Sequence, residues 1–302
     1  AMTARRAAHA GSWYTDNGKA LDKQLDGWLA SVTAQPLRAR AIISPHAGYS
    51  YSGPVAAHCF RHLDPALGFR RIFILGPSHH YHLRGCALTA TSTYQTPVGD
   101  LTVDQDIVQQ LSATGKFEKM RQSVDEEEHS IEMQLPYIAK RTAGHAVTIV
   151  PVLVGNLSRQ SEQAYGELFA PFLDDPSNFF VISSDFCHWG RRFSYTFYDQ
   201  SLGPIHRSIE ALDKAGMSAI ESMDAVRPLT LRITPVQRQF AAYQDKYENT
   251  ICGRHPIAVL LNALPFCRSA FGINFVKYAQ SSACQSMEDS SVSYAAGVMS
   301  VR

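Results

Sequence analysis

Short apolar runs alternate with amphipathic segments along the chain, an arrangement that predicts a sheet covered by helices on both faces. Leu21, Leu25, Trp28, Leu29 and Val32 recur at helical spacing and mark one stripe of a helix over 19–32. Apolar runs follow at 41–44 (AIIS), 71–75 (RIFIL), 86–90 (CALTA), 147–154 (VTIVPVLV) and 179–183 (FFVIS). Each is short, rich in β-branched residues and bounded by Gly, Pro or Ser, which predicts buried strands. Helical spacing returns at 104–114, 129–141 and 160–173, and two further strands are expected at 275–280 (FVKYAQ) and 294–301 (YAAGVMSV). Residues 222–247 mix proline, charge and apolar positions without a clean period and are read as partly helical. No repeat, low-complexity tract or linker divides the chain. The expected architecture is one α/β domain over residues 1–302, with a central, largely parallel or mixed sheet between helical layers.

Composition narrows the classes of function. Hydrophobic residues make up 45% of the 302 and charged residues 18%, an ordinary globular balance. A formal net charge of +1 provides no broad basic field for a phosphate backbone, so nucleic acid is not expected as a partner. The first residues, AMTARRAAHAGSWY, place two arginines before no apolar run, and no later stretch approaches the roughly 18 apolar residues of a spanning helix. Neither secretion nor membrane insertion is expected. The six cysteines (59, 86, 187, 252, 267 and 284) contain no CxxC pair, which fits reduced thiols and a cytoplasmic protein, with the nucleus as a second location.

Candidate chemistry gathers where strands end. AIIS runs into PHAGYSYSG, RIFIL into GPSHH, and FFVIS into SDFCHWG, so three strands each deliver histidine into a turn of small residues. The carboxyl edge of an open α/β sheet is where ligands bind, because loops converge there on rigid supports. A fourth polar segment, NTICGRHPIAVLLNAL, starts at Asn249 and leads into an apolar helix. The candidates are His46, His79, His80, Asp185, His188, Cys252 and His255. Taken singly, each has an ordinary structural reading: a turn histidine, a small buried cysteine, a loop-ordering aspartate. Strand alternation also lets at most one of His79 and His80 face a site directly. Their joint placement suggests two histidines and a further donor in a facial arrangement that leaves metal positions open. Asp185 or His188 then serves as a supporting partner or as an acid/base. Spacing alone does not single out the ligands. Arg191 and Arg192, just after SDFCHWG, offer charge for a phosphate or are simply a solvated pair.

Several blocks carry a family resemblance: HAGSWY (9–14), PHAGYSYSG (45–53), RIFILGPSHH (71–80), HSIEMQLPY (129–137), VPVLVG (150–155), SSDFCHWG (183–190), NTICGRHPI (249–257), YAQSS (278–282) and DSSVSYAAG (289–297). Together they resemble the Memo family, the mediators of ErbB2-driven cell motility, over almost the whole chain. That family is similar in fold to the class III extradiol ring-cleaving dioxygenases, which use non-haem iron. The resemblance implies one ion per chain, iron(II) or copper, on His46, His79 and Cys252, with His188 and Asp185 as catalytic groups and molecular oxygen as a small substrate. It also implies a cleft for a phosphotyrosine peptide or receptor tail, near Trp13 and Tyr51, with His80, Arg192 and His255 in its lining. The dioxygenases carry a carboxylate where this chain offers Cys252, a softer donor that argues against ring cleavage and towards iron(II) or copper. The segment 226–243 is longer than the family pattern leads one to expect, and no function is carried onto it. Three functions follow: a metal-dependent oxidoreductase, a phosphopeptide-binding adaptor using the same cleft, and, by fold analogy alone, a ring-cleaving dioxygenase.

Overall fold

Four parallel strands, Thr148–Val154, Arg71–Pro77, Asn178–Ser183 and Ala39–Ser44, lie side by side in that order and form the centre of a mixed sheet with twelve strands among the described residues. The computed structural model describes residues 3–35, 37–221 and 235–302. Beyond Thr148–Val154 the sheet continues through Leu101–Val103, Thr93–Tyr94 and Ala4–Arg5. On the other side Ser291–Val301 pairs antiparallel with Ala39–Ser44 and carries Phe271–Gln280 and the short His188–Trp189 strand. The runs expected as strands from the sequence all lie in this sheet.

The central strands are apolar on both faces because both are covered. Ile43, Phe73, Val152 and Phe180 point into one core, and Ile42, Ile72, Ile149 and Val181 into the other. The helices Arg159–Asp174, Ile205–Glu221, Pro235–Tyr247 and Arg254–Ala263 cover the first face, and Gly18–Ala30, Tyr49–Phe60 and Leu135–Thr142 the second. Phe73 and Phe180, neighbours on adjacent strands, stack at 4.7 Å between ring centres. Burying each such side chain contributes about 1.5–3 kcal/mol.

The helix expected at 129–141 begins later. A 3-10 turn spans Glu132–Gln134 and the α-helix spans Leu135–Thr142, with Pro136 in its first turn. Proline fixes a helical φ and lacks the N–H that a first turn leaves unpaired, so it sets the start there. Residues 128–131 are left to carry side chains into the site. Within 222–247, the helix Pro235–Tyr247 is formed, and 222–234, including part of the long 226–243 segment, lies outside the described residues. Among the described residues no helix is long and apolar enough to cross a membrane. All six cysteines are free, and only Cys252 is partly exposed.

Candidate metal centre

The four central strands end at one edge, at Ser44, Pro77, Val154 and Ser183. His46, His79 and Asp185 each follow one of those ends by two residues, and the backbone alone therefore brings them to the same rim. Cys252 arrives from the far side of the sheet, in the turn before the Arg254–Ala263 helix. Gly253 makes this approach possible: a Cβ on it would stand 2.3 Å from Ser184 Cβ and 2.5 Å from the Ser183 carbonyl oxygen. The Gly253 N–H donates to Ser184 Oγ at 3.0 Å, and the Asp185 N–H donates to Cys252 Sγ at 3.2 Å. His46, His79 and Cys252 each offer a ligand atom, and these atoms all lie within 4.8 Å of one another.

Hydrogen bonding sets the proton on His46. The Ser183 hydroxyl donates to the Ser130 carbonyl at 2.7 Å and accepts from Gln134 Nε2 at 2.9 Å. With its single proton used, Ser183 accepts from His46 Nδ1–H, 2.7 Å away. The Nε2 lone pair of His46 therefore faces Cys252 Sγ at 3.1 Å. Burial, and then the charges of His79 and His129, hold the His46 imidazole far below its ordinary pKa and keep that lone pair available.

His79 is fixed in the same way by a carboxylate. Its Nδ1–H donates to Glu128 Oε1 at 2.8 Å and its backbone N–H to Oε2 at 2.7 Å, so Nε2 is the free nitrogen. Burial alone would raise the Glu128 pKa; the His79 hydrogen bond and the nearby imidazoles bring it down to about 2. A carboxylate behind a histidine in this way orients a metal ligand and raises its basicity. Gly76 admits the segment that carries Glu128, since a Cβ there would lie 2.5 Å from Ser130 Oγ.

Asp185 and His188 stand beside this group. Asp185 Oδ1 accepts the His46 backbone N–H at 2.8 Å, and burial raises its pKa against the opposing pull of His188. His188 Nδ1 lies 2.9 Å from the Phe186 carbonyl and 3.0 Å from that of Thr250; carbonyls only accept, so Nδ1 carries the proton and Nε2 is free. Thr250 Oγ1 accepts the His188 N–H at 2.7 Å and donates to the His188 carbonyl at 2.9 Å, tying this loop to the one bearing Cys252. Burial, and then the charge of Asp185, push the Cys252 thiol well above its usual range.

Other residues form the wall of the cleft. Trp13 stacks on His129 at 4.3 Å, and His129 on His79 at 4.3 Å, giving a column that ends at a ligand candidate. His9 Nδ1 lies 2.8 Å from Glu132, which also accepts from Arg5 and Tyr14. His129, Glu128, Glu132, His9, Ser183 and Arg5 carry no role in the sequence reading above. His9, His129, Glu132 and Ser183 fall within the blocks that carry the family resemblance, and the local signal beside them is two glutamates, Glu128 and Glu132, closely flanking His129. His79, Glu128 and His129 form a second group of donors within 4.8 Å of one another.

The remaining candidates are spread more widely. His80 is exposed, with its ring centre 6.4 Å from that of His79. Trp13 is 37% exposed and Tyr51 58%. The Arg192 guanidinium lies over the Phe193 ring at 4.7 Å, and that ring meets His188 edge-on at 5.3 Å. His255 does not join the group. The turn of its helix carries Nδ1 to Glu162 at 2.7 Å and Nε2 to Asn156 at 2.9 Å, in the wall of a separate cavity.

The donor set fits a transition metal. Two imidazoles and a thiol from three loops are brought together as possible donors, and the sulfur favours iron(II), copper or zinc over calcium or magnesium. Fold and donors together define an α/β protein with a candidate metal centre at the carboxyl edge of its parallel strands.

The chain belongs to the Memo family: the model of the Memo-like proteins matches residues 5–298. It is 54% identical to protein MEMO1 of Rattus norvegicus and 53% identical to that of Homo sapiens, each over 99% of this chain and 98% of the relative. The protein memo-1 homolog of Caenorhabditis elegans is 48% identical over 98% of this chain and 83% of its own length. In fold, the chain is similar to the crystal structure of an uncharacterized protein from Escherichia coli K12, with a TM-score of 0.51 and 17% identity over 85% of this chain and 99% of that one.

Proposed function

We propose that this Memo-family protein holds one iron or copper ion on His46, His79 and Cys252 and uses it in oxygen-dependent redox chemistry that feeds cell motility signalling. The observation that carries the metal reading is the Nε2 lone pair of His46 directed at Cys252 Sγ from 3.1 Å, beside a His79 whose other nitrogen is held by Glu128. The motility role rests on family membership alone.

A bound iron or copper ion would supply one-electron chemistry towards oxygen. Cys252 gives up its thiol proton on binding, since the thiolate is the ligand form. Asp185 holds the His46 backbone, and His188, with its Nε2 free, takes or returns a proton at the rim. Trp13 covers the His129 ring, which stacks in turn on that of His79.

The test is metal analysis of anaerobically purified protein, followed by oxygen consumption with a reductant. Wild type should bind one equivalent and consume oxygen. His46→Ala and Cys252→Ser should lose both, and His188→Ala should keep the metal with an altered rate. A wild type that binds no iron or copper, or whose loaded form behaves like His46→Ala, overturns the reading.

A second reading, capture of a phosphotyrosine peptide, is favoured by the exposed Trp13 at the lip and by Arg192, which has no ion pair among the described residues. Against it, the histidines present lone pairs, which repel phosphate unless protonated. Loss of phosphopeptide binding in Arg192→Gln with metal content unchanged would support it.

A further inference from the structure

We infer that the cavity between the helices Arg159–Asp174, Pro235–Tyr247 and Arg254–Ala263 is a binding site for a small organic carboxylate with an apolar body. Its volume is about 490 Å³, within the range of small-ligand sites. None of His46, His79 and Cys252 lines it, so it is distinct from the candidate metal centre.

The polar groups of its wall are unequally engaged. Three arginines, Arg159, Arg238 and Arg254, face two carboxylates, Glu162 and Asp245. Both carboxylates already have partners: Glu162 accepts from His255 at 2.7 Å, and Asp245 is paired with Arg159. Arg238 and Arg254 make no ion pair among the described residues. Gln244 Nε2 is buried and has no hydrogen-bond partner among the described residues, although a buried amide donor is costly to leave unsatisfied. The other wall amides are satisfied, with Gln237 Nε2 donating to the Leu261 carbonyl and Asn262 Nδ2 to that of Ala258.

The unused capacity is therefore donor capacity: two guanidinium groups and one neutral amide. A carboxylate has the planar, two-oxygen geometry that a guanidinium meets with parallel hydrogen bonds, and its second lone pairs suit an amide. Three arginines against two carboxylates leave one positive unit on the wall, which matches one carboxylate better than a dianionic phosphate. Leu157, Phe240, Ala258 and Leu261 supply the apolar surface for the rest of the molecule.

Isothermal titration of the full chain with hexanoate and benzoate, against hexanol and inorganic phosphate, tests this. At least one of the carboxylates should bind saturably at submillimolar to millimolar concentration, and hexanol and phosphate at least about tenfold more weakly. Both arginines are exposed, so Arg238→Gln and Arg254→Gln should keep the wild-type melting temperature. Combined, they should weaken carboxylate binding about tenfold or more, while His46→Ala leaves it unchanged. Absence of saturable binding by either carboxylate overturns the inference. Equal binding of hexanol, or binding that survives the double arginine change, does so as well. Binding lost in His46→Ala would place the carboxylate in the other cleft and equally overturn it.

Discussion

His46 and Cys252 are 206 residues apart in the chain, and their Nε2 and Sγ atoms stand 3.1 Å from each other. The contact depends on Ser183, which accepts a hydrogen bond from His46 Nδ1–H, and on Gly253, which lets the Cys252 turn press against Ser183 and Ser184. Without a cation the protonated thiol donates to Nε2. On the metal reading proposed above, both atoms would become ligands of a bound cation.

Cys252→Ser is expected to weaken iron or copper binding by tenfold or more, since a hydroxyl replaces a thiolate. Cys86→Ser and Cys267→Ser should retain wild-type affinity, because both sulfurs are packed in the core. Cys86→Ser should nonetheless lose about 1–3 kcal/mol of stability through a buried hydroxyl. Anaerobic chelator competition and urea unfolding of the three variants separate these effects. Equal metal loss in all three rejects the assignment of Cys252.

Glu128→Gln preserves shape but removes the charge that His79 Nδ1–H and two backbone N–H groups address. Metal affinity should fall about 10- to 100-fold, with the fold intact by circular dichroism. Unchanged affinity would show that the carboxylate serves the backbone alone.

Arg5→Met tests the support under the cleft wall. Arg5 is fully buried between Asp125 at 2.8 Å and Glu132 at 2.7 Å. Removing the cation leaves two buried carboxylates exposed to each other's charge, at a cost of about 3–5 kcal/mol. Denaturant unfolding measures it, and a loss below 1 kcal/mol would contradict the expectation.

Acid sensitivity follows from Glu132. Burial by itself raises its pKa, and the hydrogen bond from His9 and the charge of Arg5 outweigh that, so the folded value lies below that of an ordinary glutamate. A carboxylate depressed in the folded state stabilises the protein above its unfolded pKa, and that contribution is lost as pH falls through the folded one. Stability should therefore decline below about pH 4.5. The Glu132→Gln protein should be less stable at neutral pH and show a flatter acid limb in thermal melts. An acid limb as steep as that of wild type would remove Glu132 as its cause.

The strands were legible because a continuous apolar run closed by Pro, Gly or Ser admits few other structures, and their ends pointed to the rim where His46, His79 and Asp185 stand. The acidic run before His129 was not. Whether Glu128 and Glu132 are solvated or buried is decided by Arg5, well over 100 residues away, and by the clearance that Gly76 leaves, and neither is visible in local sequence. His255 illustrates a smaller difficulty. It lies only three positions beyond Cys252, yet the turn that begins the helix rotates it to Glu162 and away from the rim. Trp13 could be placed near the cleft by resemblance, but its stacking on His129 required the folded chain.

The span from His46 to Cys252 also bears on how the protein is made. During synthesis, a nascent chain cannot present the three donors together until Cys252 has left the ribosome and the intervening strands have paired. Ion uptake would then report completed assembly rather than any local segment. A tightly held ion at a hundredfold excess over its dissociation constant would add about 2.7 kcal/mol to the finished fold and nothing to an incomplete one. Cells short of the metal would accumulate a protein that is correctly folded but more readily unfolded, and its turnover would track metal supply.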